Sequence, residues 1–437
     1  MPDSNVLDRM RQDWNARARE DPHYYVAFGR REQDDAEFFS TAADVVRGLR
    51  AEARHLRPAG QPFPRNLKAL EIGCGPGRIM RPLSADFAEI HGIDVSDEMI
   101  RLAREKLRAI PNAYVHHTRT SDLSLFPAES FDFVYSYAVF QHIPSREVVF
   151  QYLREARRVL KPLGIVRCQI NGLPPTAKQY DTWSGVRITP REIVQFTLRN
   201  DFQLLALEMI DTQYMWITLR KHPAGWIESL AGRRIQSAAA IRNVSNALTS
   251  EAVAPSSGPM AALSLWIERL PDECDLNHMA VTVDGIPGRP EYIGVPGNGS
   301  AQQVNVWLPA GIRTGMAPVD VKWLGQSVCP TAWVRIIPPG PSVPRLITVT
   351  DGVNLLLDHR TASGSVKVTL LEVADPDVFH ATVDGRDVLE TDSFCSNPLG
   401  RCYEFNFRMP SGTVPGPHEL RVALGKRAFQ PIPIEVA

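Results

Sequence analysis

The sequence predicts an α/β domain built on a mostly parallel sheet, followed by two tandem all-β domains. Three observations carry this reading. Short apolar runs alternate with helical patterns from Leu67 to about Arg220, a Gly-x-Gly-x-Gly turn follows the first run, and the closing part repeats at a period of about 100 residues. The 437 residues leave room for two or three domains, and 44% hydrophobic with 22% charged residues permits well-filled cores. A formal net charge of -1 argues against a broad nucleic-acid-binding face. No apolar run reaches the length of a membrane span, and Met1 to Asn5 lacks the basic and apolar regions of a signal peptide, so a cytoplasmic protein is expected.

The elements follow from periodicity. Val6, Leu7, Met10 and Trp14, and then Phe38, Phe39, Ala42, Val45, Val46 and Leu49, recur at helical spacing. Strands are expected at Ala69–Ile72, Glu89–Ile93, Tyr114–His116, Phe131–Ser136 and Ile165–Ile170, with helices near Ile79–Leu83, Asp97–Leu107 and Ser145–Leu160 between them. Thr189-Pro190-Arg191-Glu192 has the Thr, Pro and acid of a helix start. Beyond His222, Trp226–Leu248 reads as a mostly polar helix and Ala254–Pro259 as a linker. The expected division is therefore 1–222, a connector over 223–258, and β-sandwich modules over 259–342 and 343–437. Ala280–Gly285 recurs as Ala381–Gly385, and Val306–Gly311 as Phe407–Gly412. On this division a fragment ending near Leu248 is expected to fold alone.

The chemistry concentrates in Leu70–Arg78, which reads Leu-Glu-Ile-Gly-Cys-Gly-Pro-Gly-Arg. Gly73, Gly75 and Gly77 suit a backbone turn pressed against a small molecule. Asp94 ends the next apolar run about 20 residues on, where an acid can hold ribose hydroxyls. Dinucleotide sites space their glycines Gly-x-Gly-x-x-Gly, so the earlier third glycine and Pro76 disfavour an NAD-dependent oxidoreductase.

With these residues in this order, the chain resembles the class I S-adenosylmethionine-dependent methyltransferases of the small-molecule kind called type 11, over roughly Leu67 to Arg220. Glu71 matches the acid of motif I, Asp94 the ribose acid, and Asp122-Leu123 the adenine side. Leu153–Gly164 looks like the helix and turn before the fifth strand, with Leu163 where the family usually has glycine. The resemblance implies a Rossmann-like domain with a seven-stranded sheet closed by an antiparallel edge pair at Leu204–Met209 and Tyr214–Leu219. It implies S-adenosylmethionine as cofactor, held by Tyr25, Glu71, Gly73, Cys74, Gly75, Gly77, Asp94, Val95, Met99, Asp122, Leu123, Ser136 and Tyr137, and no metal. Loop amides would meet its carboxylate, acids its ammonium and ribose, and an apolar wall its adenine. Tyr24 and Tyr25 would form a lid over the cofactor or pack their segment on the sheet. The closing modules resemble the immunoglobulin-like domains appended to bacterial enzymes.

His142 follows the fourth strand and is either a general base for an acceptor hydroxyl or a polar residue opening a surface helix. Cys74 and Cys168 read as reduced packing residues, and Cys395 and Cys402 as unpaired half-buried thiols. His116-His117 is a poor metal pair, because neighbours in a strand face opposite ways. The expected reaction is in-line methyl transfer to a small-molecule or saccharide acceptor, through oxygen or, second, nitrogen or carbon. The rival reading is a non-catalytic cofactor-binding scaffold whose modules contact proteins or glycans.

Overall fold

A computed structural model describes residues 4–27, 31–57, 63–176, 179–296, 301–340, 342–353, 355, 358–397 and 400–437. Met1–Asp3, and Pro398 and Leu399 of the turn between Cys395 and Cys402, lie outside the described residues. The chain forms two compact units, one of residues 1–20 and 39–339, the other of 21–38 and 340–437.

In the first unit the expected alternation gives β1 (Lys68–Ile72), β2 (Glu89–Asp94), β3 (Ala113–His117), β4 (Phe131–Ser136), β5 (Leu160–Ile170), β6 (Phe202–Glu208) and β7 (Met215–Lys221). They lie in the order β3-β2-β1-β4-β5-β7-β6, with β1 to β5 parallel and β6 and β7 antiparallel. The helices between them carry their expected starts. Ser96 accepts from Met99 N to cap Asp97–Lys106, Ser145 caps Arg146–Val159, and Thr189 with Glu192 forms a capping box on Pro190–Arg199. Leu163 stands near the start of β5 with φ of 63°, a left-handed conformation that costs a branched side chain about 1 kcal/mol over glycine.

The antiparallel pair does not close the sheet. Ala206 of β6 pairs with Tyr292 in the strand Arg289–Ile293, so the sheet runs on through four strands of the first all-β module. Two further expectations are corrected. Only Trp226–Ser229 is helical in the segment read as a helix, and Ala240–Asn246 is a strand paired with Ala262–Glu268. The strand Val253–Pro255, which takes in the first two residues of the segment read as a linker, pairs with Ala332–Ile337. Asn243, Ser245 and Asn246 carry no strand signal of their own; the open edge of the buried strand Ala262–Glu268 recruits them.

The repeat is structural throughout. The first module has one sheet ordered Arg289–Ile293, Ala301–Trp307, Ala262–Glu268, Ala240–Asn246, and the second module matches it with Leu389–Asn397, Cys402–Arg408, Ser365–Leu371, Arg345–Asp351. Their other sheets match equally, down to a parallel pairing of the last two strands in each. Asp284-Gly285 and Asp384-Gly385 occupy the same two-residue hairpin, with φ of 52° and 75° in one and 49° and 75° in the other. In the second module the two sheets bury one apolar core that includes Val368, Leu370, Phe405, Val383, Leu420 and Val422.

Tyr24 and Tyr25 lie in the helix Pro22–Ala27, within the second unit, where Tyr24 Oη donates to the Val353 carbonyl at 3.4 Å. All six cysteines are free, with Cys395 and Cys402 half-buried. Among the described residues no helix is long and apolar enough to cross a membrane, and no group of three His, Cys, Asp or Glu is placed to hold a metal ion.

Candidate functional site

The glycine turn sits at the carboxyl edge of β1. Gly73 N and Cys74 N both donate to the Ile93 carbonyl, at 2.8 and 2.9 Å, which draws the turn against the end of β2. Gly73, Gly75 and Gly77 have φ of 75°, 51° and 85°, and a Cβ on Gly73 would stand 2.5 Å from Val139. Asp94 closes the arrangement: its Oδ2 accepts from Gly75 N and its Oδ1 from Ser96 N, each at 2.9 Å. A carboxylate oxygen accepts more than one bond, and Asp94 is only half-buried, so the group fits a ribose diol while it holds the loop. The helix Ser4–Glu20 covers this corner through Asn15, whose Oδ1 accepts from Ser96 Oγ at 2.6 Å and whose Nδ2 donates to Asp97 at 2.7 Å. Sequence reasoning missed Asn15, because a lone Asn in a helical pattern carries no signal.

The other expected residues surround the loop in different states. Val95 and Met99 are buried where the second strand turns into its helix, as is Leu123 after the third strand. Asp122 is exposed, and the Ser124 amide and Thr120 hydroxyl hold its carboxyl below the usual range. Ser136 Oγ donates to the Ile72 carbonyl at 2.8 Å, so it ties β4 to β1. Cys74 is buried, and burial pushes its thiol up, away from thiolate chemistry.

Glu71 is 2% exposed and accepts from Tyr135 Oη at 2.9 Å. Burial pushes its carboxyl up to about 8, opposed by the Tyr135 hydrogen bond and the Arg78 charge. The folded state thus binds this proton more tightly than the unfolded chain does. The stability it contributes is full below the ordinary glutamate value and is lost as pH rises through about 8. Glu71→Gln should therefore flatten the fall in stability between about pH 5 and pH 8, since every tenfold difference in proton affinity between the folded and unfolded chain is worth about 1.4 kcal/mol. Urea unfolding of both proteins across that range checks this; parallel curves would place the proton elsewhere.

Strand register explains what lies beside the loop. Glu71, Tyr135, Arg167, Thr218, Ala206 and Tyr292 stand opposite one another in successive strands and so share one face of the sheet. Arg167 Nη1 donates to Glu208 at 2.8 Å and to Thr218 Oγ1 at 2.9 Å, and Thr218 Oγ1 donates to Glu52 at 2.7 Å. The helix Ala43–Ala53 lies over this face and leaves a cavity of about 380 Å³ lined by Asp44, Gly48, Tyr137, Arg167, Gln169 and Trp216 among others. Tyr137 joins the cavity to the loop, since Arg78 lies 5.5 Å from its ring centroid. The alternation Ile165-Val166-Arg167-Cys168-Gln169-Ile170 held a signal for Arg167 and Gln169, two polar side chains on one face of an otherwise apolar strand.

His142 does not line that cavity. It is 7% exposed, its Nδ1–H donates to the Trp183 carbonyl at 2.9 Å, and Trp14 meets it edge-on with centroids 5.3 Å apart. Burial pushes its imidazole down to about 4, which makes a weak base at neutral pH. The geometry supports packing over proton transfer. His142→Ala should cost about 2 kcal/mol of stability through the lost packing and the stranded carbonyl. The shape of the pH–rate profile should stay the same. A lost acidic limb in that profile would restore the base.

With this geometry in place, residues 70–168 match the family described as "Methyltransferase domain". A phosphoethanolamine N-methyltransferase 2 of Caenorhabditis elegans is 36% identical over 105 residues, 24% of this chain and 23% of that protein. A demethylmenaquinone methyltransferase of Staphylococcus aureus is 33% identical over 120 residues, 26% of this chain and 48% of that protein. The chain spans about half or less of the length of these curated relatives. A phosphoethanolamine N-methyltransferase 1 of Haemonchus contortus, in complex with phosphoethanolamine and S-adenosylhomocysteine, aligns with TM-score 0.37 and 14% identity over 54% of this chain and 52% of that one. For magnesium protoporphyrin IX methyltransferase of Synechocystis the TM-score is 0.36 and the identity 17%, over 49% of this chain and 96% of that one. Over residues 70–168 the chain is similar to this family, and the cofactor of the site is S-adenosylmethionine.

Proposed function

We propose that the chain is a methyltransferase that transfers the methyl of S-adenosylmethionine in line to a small-molecule acceptor, most readily through oxygen. The observation that supports this best is the joint geometry of the glycine turn and Asp94, whose half-buried carboxylate is tied to the amides of Gly75 and Ser96 at the carboxyl edge of the sheet. The cofactor supplies an electrophilic methyl on a sulfonium. The chain's own part is to hold and orient: the amides of Gly73, Cys74, Gly75 and Gly77 are taken up in fixing the turn itself, Asp94 faces the ribose, and buried Met99 and Leu123 supply apolar surface for adenine. Tyr137, with Arg78 5.5 Å from its ring centroid, links the turn to the cavity where an acceptor would sit. A saccharide or secondary metabolite is the acceptor we favour.

The tandem modules leave a second reading, a cofactor-binding scaffold for protein contact, whose support is their matched topology. Formation of S-adenosylhomocysteine from S-adenosylmethionine with fractionated small-molecule extracts separates the two. Acceptor-dependent turnover supports the enzyme, and tight binding with no turnover in any fraction supports the scaffold.

A further inference from the structure

We propose that the cavity between the helix Ala43–Ala53 and the sheet is the acceptor site, and that it takes a neutral, hydroxyl-rich ring of the saccharide class. The proposal rests on the methyltransferase reading above, and it assigns that reaction its substrate class.

The cavity is built as a ligand site. Its volume of about 380 Å³ falls within the range of small-molecule pockets, toward the lower end. Gln169 lines it at 3% exposure, and its Oε1 has no hydrogen-bond partner among the described residues. A buried carbonyl oxygen left in this state costs free energy that a donor on a ligand would recover, and only an O–H or N–H can supply it. Gly48 faces the same space from the helix, and a Cβ built there meets nothing within 4 Å. Glycine is a poor helix former, so its position in Ala43–Ala53 keeps room open at a cost in helix stability.

Charge decides against an ionic ligand. The cation lining the cavity, Arg167, is bonded to Glu208 at 2.8 Å, and Glu52 lies behind Thr218. An anion would compete with those carboxylates, and a cation would meet the guanidinium. Asp44 on the helix is itself paired with Arg47 at 2.9 Å. Hydrogen-bonding groups line the sheet side of the space, Gln169 and Arg167 on β5, while Tyr137 and Trp216 stack with centroids 5.8 Å apart and give it an aromatic wall. Several separated polar groups around an aromatic surface match a ring that carries a hydroxyl on most carbons and C–H bonds on its faces. A phenol, with one or two hydroxyls, would leave most of these groups unmet.

The test uses the full chain and two readouts. S-adenosylhomocysteine binding is measured by calorimetry for wild type, Gly48→Ala, Gly48→Leu and Gln169→Leu. Binding of methyl hexopyranosides, of 4-hydroxybenzoate and of phosphoethanolamine is measured by saturation-transfer NMR with and without S-adenosylhomocysteine. We expect the neutral glycosides to bind wild type and Gly48→Ala, and Gly48→Leu and Gln169→Leu to weaken that binding by about 10-fold or more. S-adenosylhomocysteine affinity should stay within about 2-fold, since both positions lie outside the glycine turn. If no methyl hexopyranoside binds, or if only 4-hydroxybenzoate or phosphoethanolamine does, the substrate class is overturned. Glycoside binding untouched by Gly48→Leu would overturn the location. Loss of S-adenosylhomocysteine binding by wild type would instead remove the methyltransferase reading, and the glycoside measurement without it still decides the cavity.

Discussion

Asp94→Ala should weaken the binding of S-adenosylhomocysteine by about 100-fold or more. The carboxylate is expected to accept two ribose hydroxyls, and hydrogen bonds to a charged group are worth about 1.5–3 kcal/mol each, with about 1.4 kcal/mol per tenfold in affinity. The structure enlarges the effect, because the same oxygens hold Gly75 N and Ser96 N at 2.9 Å and so shape the turn before any ligand arrives. Asp94→Asn keeps one acceptor oxygen and turns an amide donor toward the other backbone N–H, so it should fall between wild type and alanine. Calorimetry on the full chain measures all three. Equal affinities would remove Asp94 from the site, and with it the observation that best supports the proposed function.

A chain ending at Leu248 should be insoluble, whereas one ending at Pro339 should fold cooperatively and bind the cofactor. The shorter cut removes the partner of β6 and strips the cover from Leu205 and Ala206, which are 2% and 0% exposed. It also takes away the carbonyls of Asp272 and Cys274, to which the fully buried Gln203 side chain donates at 2.7 and 2.9 Å. Ala240–Asn246 would keep its strand sequence and lose its neighbour. Stranded buried polar groups cost about 1–3 kcal/mol each, and a typical fold holds only about 5–15 kcal/mol in reserve. This reverses the sequence-based expectation that the fragment is independent. One apolar core contains Ile165, Leu205, Val281, Val304 and Trp323, so the α/β part and the first module bury their side chains together. A soluble, cofactor-binding fragment ending at Leu248 would show that this shared core is dispensable.

The sequence by itself determined the parallel strands, their capped helices, the glycine turn with Asp94, and the tandem repeat. Each is a local pattern: Ser96, Ser145 and Thr189 cap helices within one turn of themselves, and positive φ at Gly73, Gly75 and Gly77 is a property of residue type. What only the tertiary structure decided depends on partners distant in the chain. Ala240–Asn246 became a strand because Ala262–Glu268 had an open edge, and Ala206 found Tyr292 across the expected boundary. His142 lost its basicity to burial, packed against Trp14 and Trp183, neither of them adjacent in sequence, while its hydrogen bond to the Trp183 carbonyl works the other way. The cavity has the same origin, since Gly48 and Gln169 are 121 residues apart and meet only when a helix is laid over a sheet. Conformational preference is written residue by residue, but burial, and the cost of a polar group left without a partner, exist only after the chain has packed.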